Sequence, residues 1–297
     1  MYNPLLKTFV SVADCGSFSK AATELFISVP AVQKQINALE NHLGLKLLVR
    51  NNRGVTLTQA GASIYKDAQN FFALSKRAID AALSLTEDAK YTIHVGTSML
   101  YPGTFFMHLW QSVEQALPGY TVQIVPFADH HAEILNELRK VGAKYDCIVG
   151  PCNSDFWKTL CNYLVVGETP VCVAVPKGHR LANQKLLNLP DLFQETVLIA
   201  VQGDSPIIDQ VRATLASFPQ ITIEDVPNFY DAATFNRAER EKKILLTLEC
   251  WSNVHPSLVT LAVNWEYRIP YGILYAFEPS RQMEHFLDVL KGSLAAS

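Results

Sequence analysis

Apolar residues in the first sixty positions recur at helical spacing in three short stretches, each ended by a glycine or restarted by a serine. Leu5, Leu6, Phe9, Val10 and the pair Val12-Ala13 give a first helix one apolar face, and Cys15-Gly16 ends it. Ser17 is placed to cap a second helix, in which Phe18 turns inward, Ala21-Ala22 admits a close neighbour, and Leu25 and Phe26 close onto the core. Ser28 caps a third helix, with Pro30 in its first turn, where no intrahelical hydrogen bond is lost. Val32, Ile36, Leu39 and Leu43 form one buried stripe on it. The opposite face carries Ala31, Gln33, Lys34, Gln35, Asn37 and Asn41, with donors, acceptors and a cation that suit a major groove. Gly44 stops this helix. Residues 47–50 and 55–57 read as two short strands around Asn51-Asn52-Arg53-Gly54, a wing that brings Arg50 and Arg53 toward phosphates, and Thr58 is placed to cap a further helix.

From Gln59 to about Leu85 the chain has no proline, and Gly61, Ile64, Ala68, Phe71, Ser75, Ala78, Ala82 and Leu85 alternate by three and four. That spacing predicts one long helix with a seam for a second helix. The polar stretch Thr86-Glu87-Asp88-Ala89-Lys90 reads as a hinge. Beyond it, strand patterns at 92–96, 122–125 and 147–150 alternate with helical patterns over 105–116 and 132–141. A second set comes next: strands at 171–175, 197–200 and 244–248, with helical turns at 189–192 and 206–216. The segment 272–276 and a terminal helix over 281–294 return to the first set. This βαβ alternation predicts a mainly parallel sheet covered by helices.

The 297 residues suit two or three folding units, and 49% hydrophobic content supplies their cores. A net charge of -3 argues against nucleic acid as a partner until its distribution is seen. Residues 1–60 hold Lys7, Lys20, Lys34, Lys46, Arg50 and Arg53 against only Asp14, Glu24 and Glu40, so a basic head is joined to an acidic body. Six cysteines, Cys15, Cys147, Cys152, Cys161, Cys172 and Cys250, show no CxxC spacing and are expected to be reduced, buried thiols of a cytoplasmic protein. No export signal and no bilayer-length apolar run is expected.

Residues 9–61 resemble the DNA-binding domain of LysR-type transcriptional regulators. The resemblance is carried by Gly16-Ser17-Phe18, Ala21-Ala22, Ser28-x-Pro30-Ala31-Val32, Leu39-Glu40, Leu43-Gly44, Arg50 and Leu57-Thr58-x-Ala60-Gly61. The chain departs from the family pattern at Val29, usually Gln, at Gln33, usually Ser, and at Leu48, usually Phe. The first two lie on the recognition helix and imply an altered operator preference.

The resemblance implies an α+β and α/β architecture in three parts. A winged helix-turn-helix spans 1–58, a linker (dimerisation) helix and hinge 59–90, and an effector-binding regulatory domain 91–297. The last is expected as two α/β lobes similar to periplasmic solute-binding proteins, lobe I about 91–163 and 269–297, lobe II about 164–268. Ser28, Pro30, Ala31, Gln33, Lys34, Asn37, Arg50 and Arg53 become the expected DNA contacts. Ligands in such folds lie at the carboxyl ends of strands. Thr97, Ser98, Met99, Phe127, Ala128, Pro151, Gln202 and Asp204 are therefore the expected effector contacts. Hydroxyls and N–H groups at Thr97 and Ser98, at a helix start, suit a carboxylate. Double-stranded DNA, a small-molecule effector and further copies of the chain, as homodimer or homotetramer, are the expected partners.

Other chemistry is thin. Adjacent His130 and His131 would face opposite ways in a strand and have no partner at metal-ligand spacing, so no metal is expected. Ser98 and Ser205-Pro206 lack a nucleophile-elbow context, no glycine-rich phosphate loop is present, and neither catalysis nor a cofactor is expected. The run from Arg237 to Lys243 stands where the family usually has a glycine-rich stretch; it reads as a solvated helix end that could also reshape the pocket. The rival reading is a small-molecule binding protein or enzyme with a non-functional N-terminal domain.

Overall fold

Asparagine and serine side chains set the starts of the first three helices in a computed structural model, which describes residues 3–51, 54–83, 91–129 and 134–296. Asn3 Oδ1 accepts from the Leu5 N–H at 3.0 Å ahead of α1, Pro4–Cys15. Ser17 Oγ accepts from the Lys20 N–H ahead of α2, Phe18–Glu24, and Ser28 Oγ from the Ala31 N–H ahead of α3, Val29–Leu43. Each takes a donor that the first turn of a helix leaves unmatched. Gly16 and Gly44 end α1 and α3 at φ 57° and 66°, a left-handed turn that glycine enters without steric cost. Phe9, Val12, Ala21, Val32, Ile36 and Leu39 pack as the core of this unit.

Two sequence expectations fail here. Phe26 does not close onto the core but is 95% exposed. Its backbone turns left-handed at φ 55°, the Ile27 N–H donates to the Ala22 carbonyl, and Ile27 packs inward in its place. Leu43 is also exposed; the buried stripe of α3 ends at Leu39, and Leu47 takes the next core position.

The wing is β1, Leu48–Asn51, paired antiparallel with β2, Gly54–Leu57, with Arg50 opposite Val55. Glu40 ties it to α3. This side chain is 5% exposed, and Oε1 accepts from the N–H groups of Leu47 and Leu48 at 2.8 and 3.2 Å while Oε2 accepts from the Lys46 ammonium at 2.6 Å. Burial alone would push its carboxyl pKa up; the Lys46 and backbone bonds outweigh that and hold it below the ordinary glutamate range. Thr58 Oγ1 donates to the Lys46 carbonyl and accepts from the Gly61 N–H at 2.9 Å, which starts α4, Gln59–Leu83. A Cβ on Gly61 would lie 2.0 Å from the Leu47 carbonyl oxygen, so only glycine lets α4 pass the strand entry.

The α4 seam divides along its length. Gly61, Ala68 and Ser75 are buried, with Ala68 in the core of α4's own unit, whereas Phe71, Leu74, Ala78, Ile79 and Ala82 are exposed. Leu85 and the expected hinge at 86–90 lie outside the described residues.

Residues Met1–Ala89 and Lys90–Ser297 form two separate units. The second opens with β3, Tyr91–Thr97, α5, Gly103–Val113, β4, Tyr120–Pro126, α6, Ile134–Arg139, and β5, Cys147–Pro151. It continues with β6, Asn162–Pro176, β7, Leu186–Leu187, β8, Thr196–Ala200, α7, Pro206–Ala216, β9, Thr222–Val226, and α8, Ala232–Glu241. β10, Ile244–Leu248, β11, Leu258–Val263, β12, Arg268–Tyr275, and α9, Arg281–Ala296, complete it. β3 pairs in parallel with β4 and β5, and β8 in parallel with β9 and β10. The joins between these two parallel sets are antiparallel. β12 pairs with both β5 and β6, and β6 then pairs with β10 and β11.

The single strand β6 thus runs through both sets: its pairing with β12 extends to Pro170, and its pairing with β10 begins at Val171. The lobe boundary expected at 163/164 falls inside that strand, because β6 is one continuous element. Gly272 sits at a bulge in β12, where a Cβ would meet the Leu164 carbonyl at 2.1 Å. The sequence expectations do not include β9, α8 and β11. In β9 the apolar residues are interrupted, as in Ile223-Glu224-Asp225, whereas β11 is apolar apart from Thr260.

All six cysteines lie outside disulfides. Burial pushes the thiols of Cys15, Cys152, Cys161 and Cys250 up to about 12 and that of Cys172 up to about 11, so they stay protonated and unreactive at neutral pH.

Glu40→Gln should destabilise the first unit by about 1–3 kcal/mol, since buried N–H donors lose a charged acceptor. A carboxyl held below its ordinary value stabilises fully above about pH 4.3 and loses that contribution as pH falls through the lower folded-state value. The gap between wild type and variant in denaturant titrations should therefore close on acidification below about pH 4. A gap that persists unchanged at low pH would contradict the role of the charge.

Candidate functional site

The outward face of α3 is built by its own cap and stripe. With Val32, Ile36 and Leu39 buried, Lys34 and Asn37 are exposed, Gln33 is half-buried, and Ser28, Pro30 and Ala31 lie at the helix start. Lys34, Gln33 and Asn37 side chains make no hydrogen bond among the described residues. Gln35 differs: its Oε1 accepts from the Thr8 hydroxyl, so this residue joins α3 to α1 instead of facing outward. Arg50 is exposed on β1 and its guanidinium carbon lies 4.3 Å from the centre of the Phe18 ring. The first residue of α2 therefore steadies the wing arginine by a cation–π contact. That contact is not legible in the sequence, since residues 18 and 50 meet only through the fold. Arg53 lies outside the described residues.

A second site lies in the other unit, where β5, β8 and β10 end. The cleft holds about 700 Å³ with its mouth included. Pro151 and Asp204, two of the expected effector contacts, line it. Its walls are aromatic. Trp157 stacks on Phe229 at 5.8 Å and 20°, Tyr230 lies 5.7 Å from Trp251, and Tyr101 lies 6.0 Å from Trp157. Burial pushes the Tyr101 and Tyr230 hydroxyls up, so both stay neutral. A Cβ on Gly150 would lie 2.5 Å from the Tyr101 ring, so this glycine lets the ring rest against β5. Thr247 Oγ1 and Trp157 Nε1, on two of the lining residues, are themselves buried and have no hydrogen-bond partner. No sequence period joins 157, 229, 230 and 251; they converge from separate turns, which is why pattern reading misses them.

The other expected effector contacts lie elsewhere. Thr97 is buried at the end of β3, and its carbonyl accepts from the Phe127 N–H at 2.8 Å. Phe127 packs on Tyr101 and Tyr145, while Met99 and Ala128 are exposed outside the cleft lining. Gln202 borders a separate depression with Asp209, Arg212 and Asp225. Ser98 is spent within the chain. Its hydroxyl donates to Asp129 Oδ1 at 2.6 Å, and the Leu100 N–H donates to Asp129 Oδ2 at 3.1 Å. The Ser98 hydroxyl, one of the donors expected to meet a ligand's carboxylate, already holds one from this protein.

The charged run from Arg237 to Lys243 also stays out of the cleft lining. Arg237 and Lys243 donate to Glu224 at 2.6 and 2.7 Å, and both pair with Glu241, so the run fastens α8 to β9. His130 and His131 lie outside the described residues. Among the described residues no cluster of His, Cys, Asp and Glu is arranged to hold a metal, and no helix is long and apolar enough to cross a membrane.

Residues 4–62 match the family described as bacterial regulatory helix-turn-helix protein, lysR family. The HTH-type transcriptional regulator BudR of Raoultella terrigena is 30% identical, over 96% of this chain and 98% of that protein. The HTH-type transcriptional regulator TfdS of Cupriavidus pinatubonensis is 35% identical over 46% of this chain and 44% of its own length. Among solved structures, CbnR, a LysR family transcriptional regulator, covers 99% of both chains at 20% identity and TM-score 0.64. A cysteine-to-aspartate variant of full-length OxyR from Pseudomonas aeruginosa covers 99% of this chain and 94% of its own at 18% identity and TM-score 0.57. These two structures share the fold.

Proposed function

The chain belongs to the LysR family of bacterial helix-turn-helix transcriptional regulators, and from that premise we propose how its own residues divide the work of an effector-responsive, sequence-specific DNA-binding regulator. α3 enters the major groove from its N-terminal end, with Ser28, Pro30 and Ala31 nearest the backbone and Gln33, Lys34 and Asn37 on base edges. Arg50 and Arg53 anchor phosphates. The observation that carries this reading is the division of polar residues on α3. Gln35 is committed to Thr8, whereas Lys34 and Asn37 are exposed with no partner among the described residues. The Phe18 ring under Arg50 supports the phosphate role, because it orders the stem and leaves the N–H groups outward.

The exposed apolar stripe of α4, from Phe71 and Leu74 to Ala82, pairs with a second copy, as a dimer or within a tetramer. Two copies present two recognition helices to two half-sites. A small molecule in the aromatic cleft favours one arrangement of the strands that cross through β6 and β12, and the spacing of the recognition helices follows by population shift. The protein acts where the genome is, in the cytoplasm. Its named relatives are regulators, and its cleft binds rather than transforms its ligand.

Arg50→Ala should weaken binding to all DNA sequences alike and lower the slope of log K against log salt by roughly one unit. Titrations at several salt concentrations check this, and an unchanged slope would remove Arg50 from the phosphate contacts. Gln33→Ala should instead change the ranking among operator variants, by about 1–3 kcal/mol at the position it reads. A uniform loss across all variants would contradict that assignment.

A further inference from the structure

Four features of the cleft bear on the charge of its ligand. Asp204 is the single charged side chain among its described lining residues, with no Lys, Arg or His beside it. Asp204 Oδ1 accepts from the Ser154 hydroxyl at 2.8 Å and the Phe156 N–H at 3.2 Å, and Oδ2 accepts no hydrogen bond among the described residues. The donors at Ser98 and Leu100 are occupied by Asp129, an internal carboxylate that would repel a second one. The walls are the faces and edges of Trp157, Phe229, Tyr230 and Trp251.

From these we propose that the cleft takes a compact organic cation, an amine on an apolar or aromatic body, held by the Asp204 carboxylate and enclosed by those rings. The proposal rests on the cleft being the effector site of this regulator. A carboxylate without a basic partner, set in a cleft walled by apolar rings, gains most from a ligand that brings the positive charge. Aromatic faces favour the same sign through their quadrupole. Size points to a small molecule. The cleft, about 700 Å³ with its mouth included, is in the range of small-molecule pockets, roughly 300–1,000 Å³.

Calorimetric titration of the full-length protein with benzylamine, benzyl alcohol and benzoate tests this, because the three share a ring and differ in charge. Benzylamine should bind at least roughly tenfold more tightly than benzyl alcohol, the worth of one charge-assisted hydrogen bond, with benzoate weakest. Asp204→Asn keeps an oxygen for Ser154 and Phe156 but removes the charge, and should bring benzylamine to within about twofold of benzyl alcohol. Benzoate binding as tightly as benzylamine, an amine advantage unchanged in Asp204→Asn, or no binding of any of the three would overturn the proposal. If the variant does not fold, the wild-type ranking decides. Benzoate binding first would leave an effector cleft of the opposite charge preference, whereas a protein that fails to bind DNA at all would remove the regulator reading itself.

Discussion

One buried carboxylate holds the DNA-binding unit in shape. Glu40 is on α3, the helix that carries the candidate base contacts, and its oxygens collect the first amides of the wing strand and the Lys46 ammonium. Helix and wing are thereby fixed to each other by polar bonds in a nearly dry place, where an unmet N–H is costly. The neighbouring constraint at Gly61 arises at the same junction. The strand entry at Leu47 that Glu40 captures is the one whose carbonyl leaves no room for a Cβ on α4. The wing is also packed against the same core through Leu48, Val55 and Leu57, so the carboxylate adds polar bonds to an apolar contact.

The second unit uses the same device for a different purpose. Asp129 gathers the Ser98 hydroxyl and the Leu100 amide, and so fills the anion-holding corner from within. The space left open is walled by rings, with Asp204 as its charge. Because β6 runs continuously between the two strand sets, a ligand lying between Pro151 on β5 and Thr247 on β10 would bear on β12 and β6, the strands paired with them. That gives the cleft a mechanical route to the rest of its unit without a separate hinge element.

Much of the first unit is legible in the sequence because its signals are local. The caps at Ser17 and Ser28, the glycine stops at 16 and 44, and the Thr58 cap each act within three or four residues. Phe26 escapes such reading because hydrophobicity alone cannot foresee a left-handed turn at a large residue. The contacts of Glu40 and the Phe18–Arg50 pair are not readable as interactions at all, since each joins segments that meet only after folding. In the second unit, continuous apolar strands such as 171–175 are plain, while β9 is interrupted by Glu224 and Asp225, and α8 turns Phe235 and Ala238 inward from an otherwise charged stretch. The strand-end rule points to the cleft through Pro151 and Asp204. Its aromatic lining and its occupied anion corner come from tertiary convergence, and they reverse the charge that the Ser98 hydroxyl suggests.

The central claim, a protein that reads DNA sequence through α3, is tested most directly by selection from random-sequence duplexes at two salt concentrations, followed by sequencing of the bound pool. The account predicts an enriched, roughly palindromic motif that survives the higher salt, because base contacts add to the phosphate term. A pool with no enrichment, bound weakly and lost at moderate salt, would contradict it.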